Sequence, residues 1–281
     1  MFEIVKLLGI GIILGIANVI PGVSGGTMAV VFNVYERLLS VITLNIKKIL
    51  SQWQFIIPLG AGVVFGIILF SKVITFLFTS YPVPTNMFFC GLIAGSIPLI
   101  LRKIPQGGKH TLRFSVVVSF AAAFTVMIVM LVIRPRETGI MYTALSFGLF
   151  ARLFISAALA AVAMIIPGIS GSFIMMVLGM YTTIIAAVSN MSIPLLIPVA
   201  LGVVFGLFFG AQLVKYMMAR IPSQTYGAIL GLVAGSLLII FPWRGFVESS
   251  AEGSFFITLI VSVVSAASGF FLAYASSKNE T

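Results

Sequence analysis

The chain has 281 residues, of which 60% are hydrophobic and only 8% charged. A soluble domain of this length carries roughly a quarter charged residues, so the composition excludes a soluble protein and leaves a polytopic membrane protein with no polar stretch long enough for a soluble domain. The net charge of +10 fits cytoplasmic loops facing anionic headgroups better than a nucleic-acid partner, and one cysteine (Cys90) with one histidine (His110, in a basic loop) excludes a disulfide framework, a cysteine-rich metal site and a histidine proton relay.

The first apolar segment covers about 4–20. It carries only Glu3 and Lys6 near its start and no small-residue cleavage site at its end, so it reads as a retained membrane element and not a signal peptide. It runs into Ile20-Pro21-Gly22-Val23-Ser24-Gly25-Gly26, a cluster of helix-breaking residues inside apolar sequence. A second arm, about 23–35, follows; then come spans at about 56–79 (containing Lys72), 86–102 and 114–133. The order then recurs: an arm at about 153–166, the break Ile166-Pro167-Gly168-Ile169-Ser170-Gly171-Ser172, an arm at about 172–188, and spans at about 195–219, 225–241 and 255–275.

This recurrence is a duplication. The two breaks lie 146 positions apart, and Gly62-Val63-Val64-Phe65-Gly66 returns 140 positions later as Gly202-Val203-Val204-Phe205-Gly206. Gly91-Leu92-Ile93-Ala94-Gly95-Ser96 returns as Gly231-Leu232-Val233-Ala234-Gly235-Ser236, and Pro82 as Pro222. The segments flanking each break are short; 153–166 would cover only ~21 Å of a ~30 Å hydrocarbon core. Each pair therefore reads as a re-entrant hairpin that returns to its own side. With three spans after each hairpin, the two units are inverted, and eleven of the sixteen Lys and Arg residues fall on the side of the termini, against Arg134, Arg136, Arg152 and Arg244 on the other and Lys72 within a span. That split predicts cytoplasmic N- and C-termini. The expected fold is an all-α integral membrane protein with an inverted internal repeat, each unit a re-entrant helical hairpin plus three transmembrane helices. The units are 1–135 (hairpin about 4–35) and 140–281 (hairpin about 153–188).

Broken backbone at membrane depth is tolerated where protein shields it or where it lines a polar cavity, and paired breaks in the two halves of a transporter-like chain point to a binding site. Ser24 and Ser170 are candidate N-caps of the outgoing helices. Beyond them the amides of Gly25, Gly26 and Thr27, or of Gly171, Ser172 and Phe173, would face an anion at a positive helix end. With Gly22 and Gly168 at the turns, these residues form the candidate phosphate site; the alternative is that small residues merely let two hairpin tips touch. Lys6 and Arg152 align fourteen residues before their isoleucines, and Tyr35 aligns with Tyr181. Arginine can hold a phosphate through two parallel hydrogen bonds, although both cations could equally be interfacial anchors. Lys72, a charge in an apolar span, is a further candidate, with snorkelling as the competing reading; Lys215 reads as a snorkelled anchor. Glu36 could carry a proton, but its aligned partner is Thr182, and a helix-end glutamate at the interface is the simpler reading. The repeated glycine pairs fit close helix packing.

Gly22-Val23-Ser24-Gly25-Gly26 also matches G-x-S-x-G and is similar to the Gly-x-Ser-Gly of intramembrane rhomboid proteases. A serine nucleophile needs a base, and the chain has no aspartate, no histidine in a span and six glutamates in loops or at element ends. No catalytic residue, metal or cofactor is expected.

The paired P-G-[VI]-S-G motifs, together with the two G-L-x-A-G-S segments, resemble the PopT-type polyprenyl-phosphate transporter family over nearly the whole chain. The resemblance implies translocation of undecaprenyl phosphate from the outer to the inner leaflet of a bacterial cytoplasmic membrane, recycling the carrier lipid for cell-envelope synthesis. A carrier of a small soluble anion or ion using the same hairpins, and a membrane-bound lipid-modifying enzyme, are the rival readings. Energy coupling and oligomeric state are not legible.

Overall fold

A computed structural model of the chain describes residues 2–19, 24–42, 45–105, 114–133, 142, 144–251 and 255–278, and every regular element among them is an α-helix. The first half runs α1 (Phe2–Val19), α2 (Gly25–Val31), α3 (Tyr35–Val41), α4 (Ile46–Ser51), α5 (Trp53–Ser80), α6 (Pro82–Lys103) and α7 (Phe114–Val132). The second runs α8 (Phe147–Ile165), α9 (Gly171–Val177), α10 (Tyr181–Ser189), α11 (Ile193–Arg220), α12 (Pro222–Ile240), α13 (Trp243–Ala251) and α14 (Phe255–Lys278). Among the described residues, six stretches are long and apolar enough to cross a membrane: 82–103, 114–132, 147–165, 193–220, 222–248 and 255–275. The protein is a multi-pass membrane protein.

Local chemistry recurs with the duplication. α5 and α11 each hold 28 residues and carry an internal proline at matching positions, Pro58 and Pro198. Each ends at a residue of nearly identical backbone, Tyr81 (φ −138°, ψ 56°) and Ile221 (φ −136°, ψ 57°), and the next helix starts on a proline, whose missing N–H costs nothing in a first turn. In that turn Thr85 and Thr225 each donate a hydroxyl to the carbonyl four residues back, Tyr81 and Ile221.

Two features depart from the expected elements. The arm expected at 153–166 begins six residues earlier, because Ser146 caps it: its hydroxyl accepts from the Leu149 amide at 3.2 Å. The 19-residue helix that results is ~28 Å long at 1.5 Å per residue, so shortness no longer sets this arm apart from a span. Each outgoing arm, expected as one helix, is two. α2 stops at Phe32 and α3 starts at Tyr35; α9 stops at Leu178 and α10 starts at Tyr181, with a bend of 115° between them. The pivots are Asn33 (φ +55°) and Gly179 (φ +67°), again 146 positions apart. Left-handed backbone is open to glycine and, among other residues, most readily to asparagine.

Tertiary packing pairs α1 with α5 and α8 with α11 inside each half, then crosses over: α14 lies along α6, and α7 lies along α12. α6 and α12 touch each other and form the buried centre, while α7 and α14 expose most of their surface. The repeated glycines sit at all four pairings. A Cβ on Gly62 would stand 2.3 Å from the Leu8 carbonyl oxygen, on Gly202 2.3 Å from that of Phe154, on Gly91 2.0 Å from that of Ala266 and on Gly231 2.3 Å from that of Phe120. These are backbone-to-backbone approaches, as small-residue packing in lipid requires. A prediction follows from the contrast with Gly60, whose Cβ would meet nothing within 4 Å. Gly62→Ala or Gly91→Ala should each destabilise the protein by about 1–3 kcal/mol through overpacking, read as a lower thermal midpoint in detergent, whereas Gly60→Ala should leave the midpoint unchanged or raise it.

Candidate functional site

The two breaks meet. Ile20, Pro21, Gly22 and Val23 lie outside the described residues, but the outgoing side of the first break sits against the second. A Cβ on Gly26 would stand 2.9 Å from the Met164 carbonyl oxygen. Thr27, almost fully buried, accepts a hydrogen bond on its hydroxyl from the Gly168 amide at 2.7 Å. Tyr35 donates its hydroxyl to the Ile165 carbonyl at 2.9 Å. Gly168 has φ +91°, and a Cβ there would lie 2.8 Å from the Leu232 carbonyl oxygen, so the second turn is set against α12.

Ser24 and Ser170 occupy the expected N-cap positions with extended backbone, and their carbonyls accept the first intrahelical bonds, from Met28 and Ile174. Their hydroxyls do not cap. Ser24 makes no side-chain cap bond and is buried, while the Ser170 hydroxyl pairs with that of Ser172 at 2.7 Å. The hydroxyls are therefore not committed to the helix's own first-turn amides. α2 and α9 have seven residues each, so their dipoles are short, and an anion here would rely on the amides and hydroxyls themselves. Gly25 and Gly171 serve close approach as well: a Cβ on Gly25 would lie 2.8 Å from Asn18 Oδ1, and one on Gly171 2.9 Å from the Ala160 carbonyl oxygen.

The cations do not join the tips. Arg152 is exposed on α8 and Lys6 half-buried on α1, each thirteen residues before the end of a continuous helix and hence ~20 Å along it from the tip. Lys72 lies within α5, its side chain outside the described residues. Lys215 is not a simple snorkelled anchor: its ammonium, with the Gln212 amide, donates to the Ile42 carbonyl at the end of α3 (3.0 and 3.3 Å), where a helix end favours positive charge.

Asn18 and the two partners of Glu36 escaped the sequence reading. Asn18, the one amide side chain in α1, stands beside Gly25 and donates to the Leu14 carbonyl at 3.0 Å. Glu36 is the centre of a cluster: Lys103 Nζ from α6 and the Tyr226 hydroxyl from α12 both donate to its Oε1 at 2.7 Å. Glu36 lies outside the spans. Partial burial pushes its carboxyl up, but the hydrogen bonds from Lys103 and Tyr226 and the lysine's charge outweigh that and hold it below the usual glutamate range. An apolar groove of about 540 Å³ runs beside α1 between α5, α6 and α14, lined by Ile13, Ile16, Leu77, Phe88 and Leu92 among others.

Two outcomes follow from this geometry. Thr27→Val leaves the buried Gly168 amide without its acceptor and should cost about 1–3 kcal/mol, measured as a lower thermal midpoint, with Thr27→Ser restoring most of it. Because the folded value of Glu36 lies below its unfolded value, its contribution is present above the ordinary glutamate range and lost as pH falls through the folded value. The wild-type midpoint should therefore drop below about pH 4 more steeply than that of Glu36→Gln; parallel profiles would contradict the cluster.

A family model described as undecaprenyl phosphate translocase-like matches residues 14–256. A polyprenyl-phosphate transporter of Vibrio cholerae is 32% identical over 249 residues, covering 83% of this chain and 76% of the relative. A polyprenyl-phosphate transporter of Staphylococcus aureus is 28% identical over 239 residues, covering 83% and 84%. No solved structure matches. By the extent of the family match and the identity to these relatives, the chain belongs to the undecaprenyl phosphate translocase-like family.

Proposed function

We propose that this protein translocates undecaprenyl phosphate across a bacterial cytoplasmic membrane, from the outer to the inner leaflet, returning the carrier lipid for cell-envelope synthesis. It does so as a transporter and not as an enzyme. The observation that carries the reading is the junction of the two breaks, where the Thr27 hydroxyl accepts from the Gly168 amide at 2.7 Å. It brings both sets of candidate phosphate donors, Ser24, Gly25 and Gly26 with Ser170, Gly171 and Ser172, to one place. In this reading units 1–135 and 140–281 are inverted repeats with cytoplasmic termini. Each break is the tip of a re-entrant hairpin: a seven-residue outgoing helix, ~10 Å long, turns back at Asn33 or Gly179 before it could cross.

The chemistry suits a lipid with a charged head. A polyprenyl tail stays in apolar surroundings, including the groove beside α1, while the phosphate needs a polar path. Arg152 and Lys6, one toward each face, act as entry cations that hand the headgroup to the tips, with Gly22 and Lys72 on the same path; Arg152 is the leading side-chain contact. Alternating exposure of the tips to the two faces completes a cycle.

The test is protection of polyprenyl phosphate in proteoliposomes from phosphatase added outside. Wild-type protein should accelerate exchange between leaflets over empty liposomes, and Arg152→Ala and Ser170→Ala should each slow it by about tenfold or more, the loss of one charge-assisted or neutral phosphate contact. Wild-type rates in both variants would sink the site assignment. Uptake of inorganic phosphate with no leaflet exchange would instead establish a soluble-anion carrier.

A further inference from the structure

The Glu36 cluster differs from an ordinary surface ion pair in three respects. It gathers three elements, with α3 supplying the carboxylate and α6 and α12, the two central helices, supplying the donors. Both donors fall on one oxygen, the way a lysine and a hydroxyl converge on one oxygen of a phosphate. Finally, Glu36 adjoins Tyr35, whose hydroxyl holds the Ile165 carbonyl at the second break, so the cluster is wired to the candidate site through a single peptide unit. Its partners in the other half are Thr182, Trp243 and Asn86 at the matching offsets, which cannot form an equivalent ion pair. The cluster therefore marks one end of the pathway only.

We infer that Lys103 and Tyr226 form a second binding station for a phosphate monoester, and that the Glu36 carboxylate is its built-in occupant when no substrate is bound. This rests on the transport reading above. An incoming phosphate carries the same sign of charge and accepts the same two hydrogen bonds, so it competes with Glu36 directly. Displacement changes the state of the displaced group. With the hydrogen bonds from Lys103 and Tyr226 transferred to the phosphate, the main influences that hold its proton off are weakened; partial burial remains and the phosphate's negative charge now stands nearby, and both favour the protonated acid. The other groups around it do not replace the lost donors. Arg37 on α3 is turned to Glu3 (3.0 Å) and stacks over Phe55, Lys215 on α11 holds the Ile42 carbonyl, Tyr35 is spent on Ile165, and α2 brings no titratable side chain. Phosphate binding at this station therefore raises the affinity of Glu36 for a proton, and release of the phosphate lowers it again.

The experiment uses the full-length protein in detergent with farnesyl phosphate as a soluble short-chain probe. Binding is measured by calorimetry near pH 5, just above the ordinary glutamate range, in two buffers of different ionisation enthalpy, which counts protons taken up per ligand. The probe's own titration is common to all variants and cancels in the difference. Wild-type protein should take up more protons per ligand than Glu36→Gln, and Glu36→Gln, with its stand-in weakened, should bind about tenfold more tightly, because a competing state no longer taxes the site. Lys103→Gln should bind at least tenfold more weakly while melting as a folded protein. Equal proton counts and affinities for wild type and Glu36→Gln, or an unchanged affinity for Lys103→Gln, would overturn the station and leave leaflet exchange in proteoliposomes untouched. Inorganic phosphate bound as tightly as farnesyl phosphate would keep the station but remove the lipid as its ligand. Absence of farnesyl phosphate binding in wild type and Glu36→Gln alike would remove both the station and the transport reading beneath it.

Discussion

An amide group interrupted inside apolar surroundings must find a partner, since lipid supplies none, and the rest of this structure depends on how that demand is met. Each half of the chain interrupts its helix at the Pro-Gly motif, the first between α1 and α2 and the second between α8 and α9, and then leans on the other half. Thr27 takes the Gly168 amide, Tyr35 reaches the Ile165 carbonyl, and Gly26 is small enough to let the two backbones meet. These bonds fix α2 against α8, and with them the position of α3 and its Glu36 beside α6 and α12. The polar groups at the junction are thus partly structural, and in the proposed cycle a headgroup passing through would compete with contacts the protein already makes to itself.

The same logic of substitution runs through the cluster at Glu36. A carboxylate occupying a lysine and a tyrosine keeps two costly groups satisfied in a half-buried place; in the proposed cycle it has to be displaced. Thr27 does for a neutral amide what Glu36 does for a cation. Neither arrangement is symmetric between halves, although much of the scaffold beneath them is: the lengths of α5 and α11 with their internal prolines, the positive-φ pivots and the glycine contacts recur, while Thr27, Asn18, Glu36, Lys103 and Tyr226 do not. Recurrence built the frame, and departures from it mark where the two ends of the protein differ in chemistry.

Much of that frame was legible in the sequence, because duplication prints the same local rule twice. The spans, the glycine packing positions and the N-cap positions of Ser24 and Ser170 follow from residue type and spacing alone. The start of α8 was not legible from hydropathy, since Arg152 reads as a boundary; the signal was Ser146, a capping residue one step ahead of an apolar run. The pivots at Asn33 and Gly179 were available too, as two residues tolerant of left-handed backbone at the repeat offset, but they hide in apolar arms with no proline to announce them. Pairings between distant side chains, such as Lys103 with Glu36 across 67 positions, carry no local pattern and needed the tertiary structure. The crossing of α7 and α14 to the opposite halves belongs to the same class, because an apolar helix with a glycine-accepting face fits either neighbour.

That crossing bears on how the protein is made. α6 emerges early in synthesis, yet the helix that covers Gly91 and Gly95 is α14, the last of the described helices. Until then the narrow face of α6 lies open to lipid or to whatever else is near, and contacts of such long sequence separation form slowly. α12 meets the reverse situation, since its partner α7 is already waiting in the membrane when it arrives. The first half is thus held unfinished until the second is complete, and a chain stopped short of α14 would present a bare backbone-accessible groove at its centre, a feature that a membrane protease or chaperone could recognise as the mark of an incomplete molecule.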